Sequence, residues 1–412
     1  MSWKKVKFGS LYKIDSRNGL TKPSKVRGEG YKMINMGELF SYDRIYDIPM
    51  ELVPLKDSEK INAKVEVGDL LFARQSLVLE GAGKCSIVME TSDLTVFESH
   101  IIRVRLKSEE NPLFYYYYFK SPLSPVSTIV SQCAQAGIRG SDLSNLEVIC
   151  PSRDIQDKIV DILSAYDNLI ENNQKQIKLL EEAAQRLYKE WFVDLQFPGH
   201  ENVEIVDGVP EGWNIRKLGD LNHRLESGSR PKGGIDSNLK DGIPSIGAEN
   251  VIGLGKYNFS SEKLISKEFY ENMNKGKLKD RDILIYKDGA YIGRTSLFQD
   301  DFPHREASVN EHVFLLHMDD ESLQYYVFLT LYRPEYYLKM QNLNKNAAQP
   351  GINMKVFKTL DILVPDESIV VEFNDLVSPM IKSIFSKSKQ IKILTEARDR
   401  LLPKLMSGEI EV

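Results

Sequence analysis

From Ile159 to Trp191 the chain places Ile159, Leu163, Tyr166, Ile170, Asn173, Ile177, Leu180, Ala184, Leu187 and Trp191 at alternating steps of four and three. That spacing is the a/d seam of a heptad helix, and it predicts one long helix from about Ile155 to Trp191 whose stripe packs against a second helix. A second series runs Phe373, Val377, Met380, Ile384, Lys387, Ile391, Leu394, Arg398, Leu401 and Leu405. The expected helix pair therefore brings together Ile159, Leu163, Tyr166, Ile170, Asn173, Ile177, Leu180 and Leu187 with Val377, Met380, Ile384, Lys387, Ile391, Leu394 and Leu401. A straight helix of the first span extends about 55 Å at about 1.5 Å per residue, enough to hold two domains about one turn of B-DNA apart. Asn173 and Lys387 interrupt the two stripes at equivalent positions. In an antiparallel pair midpoint meets midpoint, so Asn173 is expected to face Lys387 and fix the register.

Ahead of each helix the apolar positions come in short runs. Gly68-Asp69-Leu70-Leu71-Phe72-Ala73-Arg74 and Arg281-Asp282-Ile283-Leu284-Ile285-Tyr286-Lys287 each set an Asp-led turn before a strand that ends on a cation. Gly83-Lys84-Cys85-Ser86 and Gly293-Arg294-Thr295-Ser296 follow and read as hairpin tips presenting Lys84 and Arg294. Strands are expected again at Ser99–Val104 and Glu311–Leu315. The block Phe114-Tyr115-Tyr116-Tyr117-Tyr118-Phe119 is answered by Tyr325-Tyr326-Val327-Phe328-Leu329, which is merely apolar, so a buried helix explains both better than a base-stacking platform does.

These parts occur twice. From Gly137 to Leu187 and from Gly351 to Leu401 one pattern repeats without a gap, 351 − 137 = 214 positions apart. Trp3, Gly9 and Leu11 likewise answer Trp213, Gly219 and Leu221. A duplicated module favours an internal two-fold relation and a partner with two similar surfaces. Both copies carry polar loops in the same places. The first loop holds Arg17, Asn18, Lys22, Lys25 and Arg27 in one copy and Arg224, Ser229, Arg230 and Lys232 in the other. Charge runs usually face water, but recurrence at one place in both copies points to phosphate or base contact. A second loop ahead of Gly-Ile holds Gln132, Gln135 and Arg139, answered by Lys345, Asn346 and Gln349, side chains of the types that read base edges. Arg74, Gln75, Lys84, Lys287, Tyr291 and Arg294 around the hairpin tips complete the candidate DNA-binding set.

Composition narrows the chemistry. A chain of 412 residues exceeds one core, and 42% hydrophobic residues let each copy fold. Net charge is −5, so nucleic-acid contact has to come from local basic loops. The Gly83-Lys84 turn fails as a phosphate loop, because Val78 stands where a glycine is needed and Cys85 where Ser or Thr is needed. His100 and His312 have neither a nucleophile signature nor metal-ligand spacing beside them and read as structural. The three cysteines, Cys85, Cys133 and Cys150, show no ligand pairing. No catalytic residue, metal or cofactor is expected, and the absence of a signal peptide or long apolar run reads as cytoplasmic.

The duplicated layout and the Gly-Ile to Leu to Pro approach into each long helix resemble the specificity (S) subunits of type I restriction-modification systems. The block Leu180-Glu181-Glu182-Ala183-Ala184-Gln185-Arg186-Leu187-Tyr188-Lys189-Glu190-Trp191-Phe192 and the ending Arg400-Leu401-Leu402-Pro403-Lys404-Leu405-Met406-Ser407-Gly408-Glu409 carry the same resemblance. It implies an α+β chain of two similar α/β target-recognition domains, separated by an antiparallel coiled coil of two long helices with pseudo-two-fold symmetry. The expected boundaries are 1–150 and 201–364 for the domains and 151–200 and 365–412 for the helices. It further implies double-stranded DNA with a bipartite target, docking of methyltransferase subunits, two of them, that methylate adenine with S-adenosylmethionine, and restriction subunits that translocate and cleave DNA. Two other classes compete. A methyltransferase in its own right would bind S-adenosylmethionine as the isolated chain, although no Asp-Pro-Pro-Tyr-type motif is present. A two-lobed protein-binding scaffold would show no salt-dependent DNA binding even with its partners.

Overall fold

The computed structural model describes residues 3–132, 136–236, 238–343 and 351–412, with Gln132 described by its backbone alone. The chain divides into two compact units, Met1–Asn168 with Leu394–Val412, and Leu169–Ile393.

In the first unit five strands, β1 (Tyr12–Asn18), β2 (Arg44–Ile45), β3 (Leu70–Ala73), β4 (Cys85–Val88) and β5 (Ile101–Leu106), form a sheet in the order β1-β5-β3-β4-β2. Every residue of β3 is buried, as a central strand covered on both faces requires. Its side chains alternate between two cores. Leu70 and Phe72 pack with the aromatic block of α1 (Pro112–Lys120), whose residues Phe114 to Phe119 are all buried. Leu71 and Ala73 pack on the other face with Met33, Ile34, Leu39 and Phe97. The second unit repeats the plan with β6 (His223–Ser227), β7 (Ile283–Tyr286), β8 (Thr295–Leu297) and β9 (Val313–Met318) in the order β6-β9-β7-β8. Ile283 and Ile285 meet α3 (Leu323–Tyr332), while Leu284 meets Ile246, Val251 and Val309. The match extends to the edges. Lys5–Lys7 pairs with Glu147–Ile149 just before the first long helix, and Asn214–Lys217 pairs with Asp361–Val364 just before the second.

The two heptad series are helices of 40 and 41 residues, α2 (Arg153–Phe192) and α4 (Glu367–Ser407). Each compact unit contains the start of the helix that follows its own domain and the end of the other. In the second unit Tyr188, Trp191 and Phe192 meet Phe373, while Asn173 meets Gln390, so α2 and α4 run antiparallel there. Ile177, Leu180, Leu187, Val377, Met380, Ile384 and Ile391 join that core, and Ile159, Leu163 and Leu401 join the first. Ile170 is buried; Tyr166 and Leu394 are half-buried. Trp3 donates through Nε1 to the Met406 carbonyl at 3.1 Å, and Trp213 packs on Phe192, the last residue of α2, at 5.8 Å. The front tryptophan of each copy thus closes on the end of the other copy's helix.

One expectation about the seam is corrected. Asn173 is buried, but its amide donates to Gln390 Oε1 at 3.2 Å, so Gln390 and not Lys387 stands opposite it. An ammonium opposite a neutral amide would be desolvated without a countercharge, whereas two amides satisfy each other. Lys387 stays half-buried, and the adjacent Ser388 takes the buried position, donating to the Gly255 carbonyl at 2.7 Å.

Both sheets also bury a carboxylate, and each neutralises it from a different strand. Asp69, fully buried, accepts from Arg105 Nε and Nη2, both at 2.7 Å, and from the Glu66 N–H. Asp282, equally buried, accepts from Arg224 Nη2 at 2.6 Å, from the Lys279 N–H, and lies 2.8 Å from His317 Nδ1. Burial raises both carboxyls above their ordinary value, and the arginine hydrogen bonds offset part of the rise. The cation sits on β5 in the first domain and on β6 in the second. The paired register positions are Arg105 with Ile14 and His317 with Arg224.

Two outcomes follow from this packing. Arg105→Met is expected to lower unfolding stability in urea by about 3 kcal/mol, because it strands a buried charge, and adding Ile14→Arg is expected to recover most of the loss; no recovery would refute the exchange of strands. Asn173→Leu is expected to raise stability by about 1 kcal/mol, since burying Leu contributes about 2 and the lost hydrogen bond costs about 1.

Candidate functional site

The pairing registers gather the polar loops at one end of each sheet. In the first domain β1 and β3 end where β5 begins, with Asn18 and Ala73 beside Ile102 and Ile101. The loops after β1, between β3 and β4, and before β5 therefore emerge together. Ala136–Gly137 pairs with Gln75–Ser76, and the Ile138 N–H donates to the Arg74 carbonyl at 2.9 Å, which brings in the fourth loop. The second domain repeats this. Ser227 and Tyr286 lie beside Phe314 and Val313, Gly351 bridges Asp288, and the Ile352 N–H donates to the Lys287 carbonyl at 2.7 Å.

At the first end the cations differ in how much of their charge is free. Lys22 is paired with Glu59 at 2.8 Å and Arg27 with Glu51 at 2.6 Å. Lys84 donates to the Phe40 carbonyl at 2.7 Å and lies 3.3 Å from Asp43. Among the described residues the guanidinium groups of Arg17 and Arg74 hydrogen-bond only to carbonyls, of Asn62 at 3.4 Å and Ser99 at 3.5 Å. Lys25 and Arg139 are exposed without an acidic partner among the described residues. Asn18 is exposed and Gln75 half-buried. At the second end Arg230 is paired with Glu311 at 2.6 Å, and Lys287 lies over the Phe314 ring, 3.7 Å from Asp288. Lys232 is exposed, Ser229 is half-buried, and the Arg294 guanidinium stacks 3.6 Å above the Tyr291 ring centroid. Gln135, Lys345, Asn346, Gln349 and the side chain of Gln132 lie outside the described residues.

Arg224 is not brought to this end. It lies within β6 opposite His317 and holds Asp282, which precedes β7, so its fork is structural. The segment begins as a strand where the sequence suggests a loop, and the carboxylate it serves is distant in sequence. Sequence reasoning also missed the tip of the first domain, where Leu77, Val78 and Leu79 are 90%, 59% and 46% exposed. Its signal is an aliphatic run directly after Arg74-Gln75-Ser76, and it fills the same turn as Tyr291 in the second domain. His100 and His312 stand at these ends too; His312 Nδ1 lies 2.6 Å from Asp288. Among the described residues no group of His, Cys, Asp and Glu is arranged to hold a metal, and no helix is long and apolar enough to cross a membrane.

Two like sheets, each gathering basic and polar side chains at one end, together with two long helices define a duplicated recognition protein. The family model described as type I restriction modification DNA specificity domain matches residues 1–182 and again 210–394. The chain belongs to that family. It is 29% identical over 313 residues to the type I restriction enzyme MjaIX specificity subunit of Methanocaldococcus jannaschii, covering 73% of this chain and 69% of the relative. It is 24% identical over 330 residues to the HindI specificity subunit of Haemophilus influenzae, covering 65% and 70%. The crystal structure of the type I system S subunit from M. genitalium shares the fold, with a TM-score of 0.63 at 17% identity over 98% of this chain and 96% of that one.

The two kinds of arginine separate on mutation. Arg224→Met is expected to cost about 2 kcal/mol in urea unfolding, His317 retaining one bond to Asp282. Arg230→Met, whose own side chain is 56% exposed and paired with a partly buried Glu311, is expected to cost less, about 1 kcal/mol or below. Equal losses would contradict this assignment.

Proposed function

We propose that the chain is the DNA-reading subunit of a type I restriction-modification complex in the cytoplasm, with each domain reading one half of a bipartite double-stranded target through its gathered loop end. The observation that carries the reading is the repetition of that end, four loops at the same edge of the same sheet in both domains. A protein that bound a single site would have no use for two such ends built to one register. The long helices offer the surfaces on which methyltransferase subunits, two of them, and restriction subunits would dock. Adenine methylation with S-adenosylmethionine and cleavage would be the partners' chemistry, and this chain's contribution is selection of sequence and spacing.

Specific contacts divide by charge state. Lys25, Arg139 and Lys232 have no acidic partner among the described residues and suit phosphate, whereas Lys22 and Arg27 must first give up Glu59 and Glu51. Ordered amides and forked cations on the loops suit base edges.

Exchange of residues 1–150 for the same region of a family member, followed by genome-wide mapping of methylated adenines, is expected to alter one half of the recognised sequence and leave the other. Simultaneous change of both halves would refute two independent readers. Lys25→Ala with Arg139→Ala and Lys232→Ala is expected to flatten the log–log salt dependence of DNA binding by the assembled complex by about 0.9 per lost contact; an unchanged slope would place these cations away from the phosphates.

A further inference from the structure

The hairpin tips of the two domains share a backbone and differ in what it carries. In the first, the Gly83 N–H donates to the Ala73 carbonyl at 2.8 Å and the Ala73 N–H to the Lys84 carbonyl at 2.9 Å. In the second, the Gly293 N–H donates to the Tyr286 carbonyl and the Tyr286 N–H to the Arg294 carbonyl, both at 2.8 Å. Gly83 and Gly293 both take the left-handed conformation, with φ of 80° and 91°, which glycine adopts without the steric cost a side chain brings. Lys84 and Arg294 therefore occupy one position. Lys84 is tied to Phe40 and Asp43. Arg294 meets the face of Tyr291, and among the described residues no carbonyl or carboxylate occupies its guanidinium N–H groups.

A guanidinium lying on a ring has lost much of its rotamer freedom before any ligand arrives, and its fork remains open. Tyr291 is itself 48% exposed and Arg294 is half-buried against it, so the pair is reached from solvent at the gathered loop end. The same end carries Asp288 and Glu311, engaged by Lys287, Arg230 and His312. A neutral base edge meets less repulsion from these carboxylates than a phosphodiester does. Guanine offers the O6 and N7 acceptors that a fork pairs with in the major groove.

We propose that Arg294, positioned by Tyr291, reads a guanine in the half-site of the second domain. This rests on the bipartite reading given above. The test maps methylated adenines genome-wide in cells that carry the full chain and its partner subunits, comparing wild type with Arg294→Gln, Arg294→Lys and Tyr291→Leu. The wild-type consensus is expected to hold a guanine in the second half-site whose discrimination falls about tenfold or more in Arg294→Gln. The first half-site stays unchanged. Arg294→Lys keeps the charge and loses the fork, and is expected to relax the same base; Tyr291→Leu relaxes it less. A consensus unaltered in Arg294→Gln would overturn the assignment, as would a uniform loss of methylation without a change of consensus, or full retention of the guanine by Arg294→Lys. Absence of any bipartite consensus in wild-type cells would instead remove the functional reading on which the assignment rests.

Discussion

The first compact unit needs a second stretch of chain to close its core, and the second closes its own only by taking in chain that precedes its recognition domain. The first sheet needs Leu402, Leu405 and Met406 from the far end of α4, and the second needs Ala184, Tyr188 and Trp191 from the end of α2. The helices are thus structural members of both domains. Two tryptophans at equivalent positions, Trp3 and Trp213, mark where each closure is made. Folding of either domain consequently depends on chain that lies after or before it in sequence, and the heptad seam is what delivers that chain in the right register.

With the scaffold held this way, the loop ends are free to differ. Several of their cations are restrained by carboxylates supplied from other loops, such as Glu59, Glu51 and Glu311. In a chain of net charge −5, this leaves a few unpaired cations on an acidic background. Such a surface binds a polyanion weakly in general and gains from contacts that match in detail.

The duplication, the long helices and the buried aromatic helix were legible in the sequence because each leaves a periodic or repeated trace. The heptad steps locate α2 within a few residues, and the 214-position repeat pairs Gly137 with Gly351, which the structure sets against Gln75 and Asp288. Partner choice left no such trace. Asn173 finds Gln390 because amide satisfies amide, a preference that heptad position alone does not encode. Arg224 looked like a loop cation because nothing local announces Asp282, 58 positions away, as its partner. The ion pairs of Lys22 and Arg27 likewise cross 37 and 24 positions. The exposed Leu77 to Leu79 run was hidden for the opposite reason: an aliphatic stretch beside a strand reads as more strand.

The buried carboxylates bear on how such domains diverge. What each sheet requires is one positive charge near Asp69 or Asp282, and the strand from which it comes is left open by the cross-strand pairing. Neither position of the pair is therefore constrained by itself. A lineage can move between the two arrangements through an intermediate with cations on both strands, because the surplus one can turn to water, whereas an intermediate with none leaves the carboxylate stranded in the interior. Ancestral and present-day domains of this kind should differ in which strand is charged far more often than in whether the pair is charged, and a comparison that scores columns one at a time will mistake this tightly bound requirement for drift.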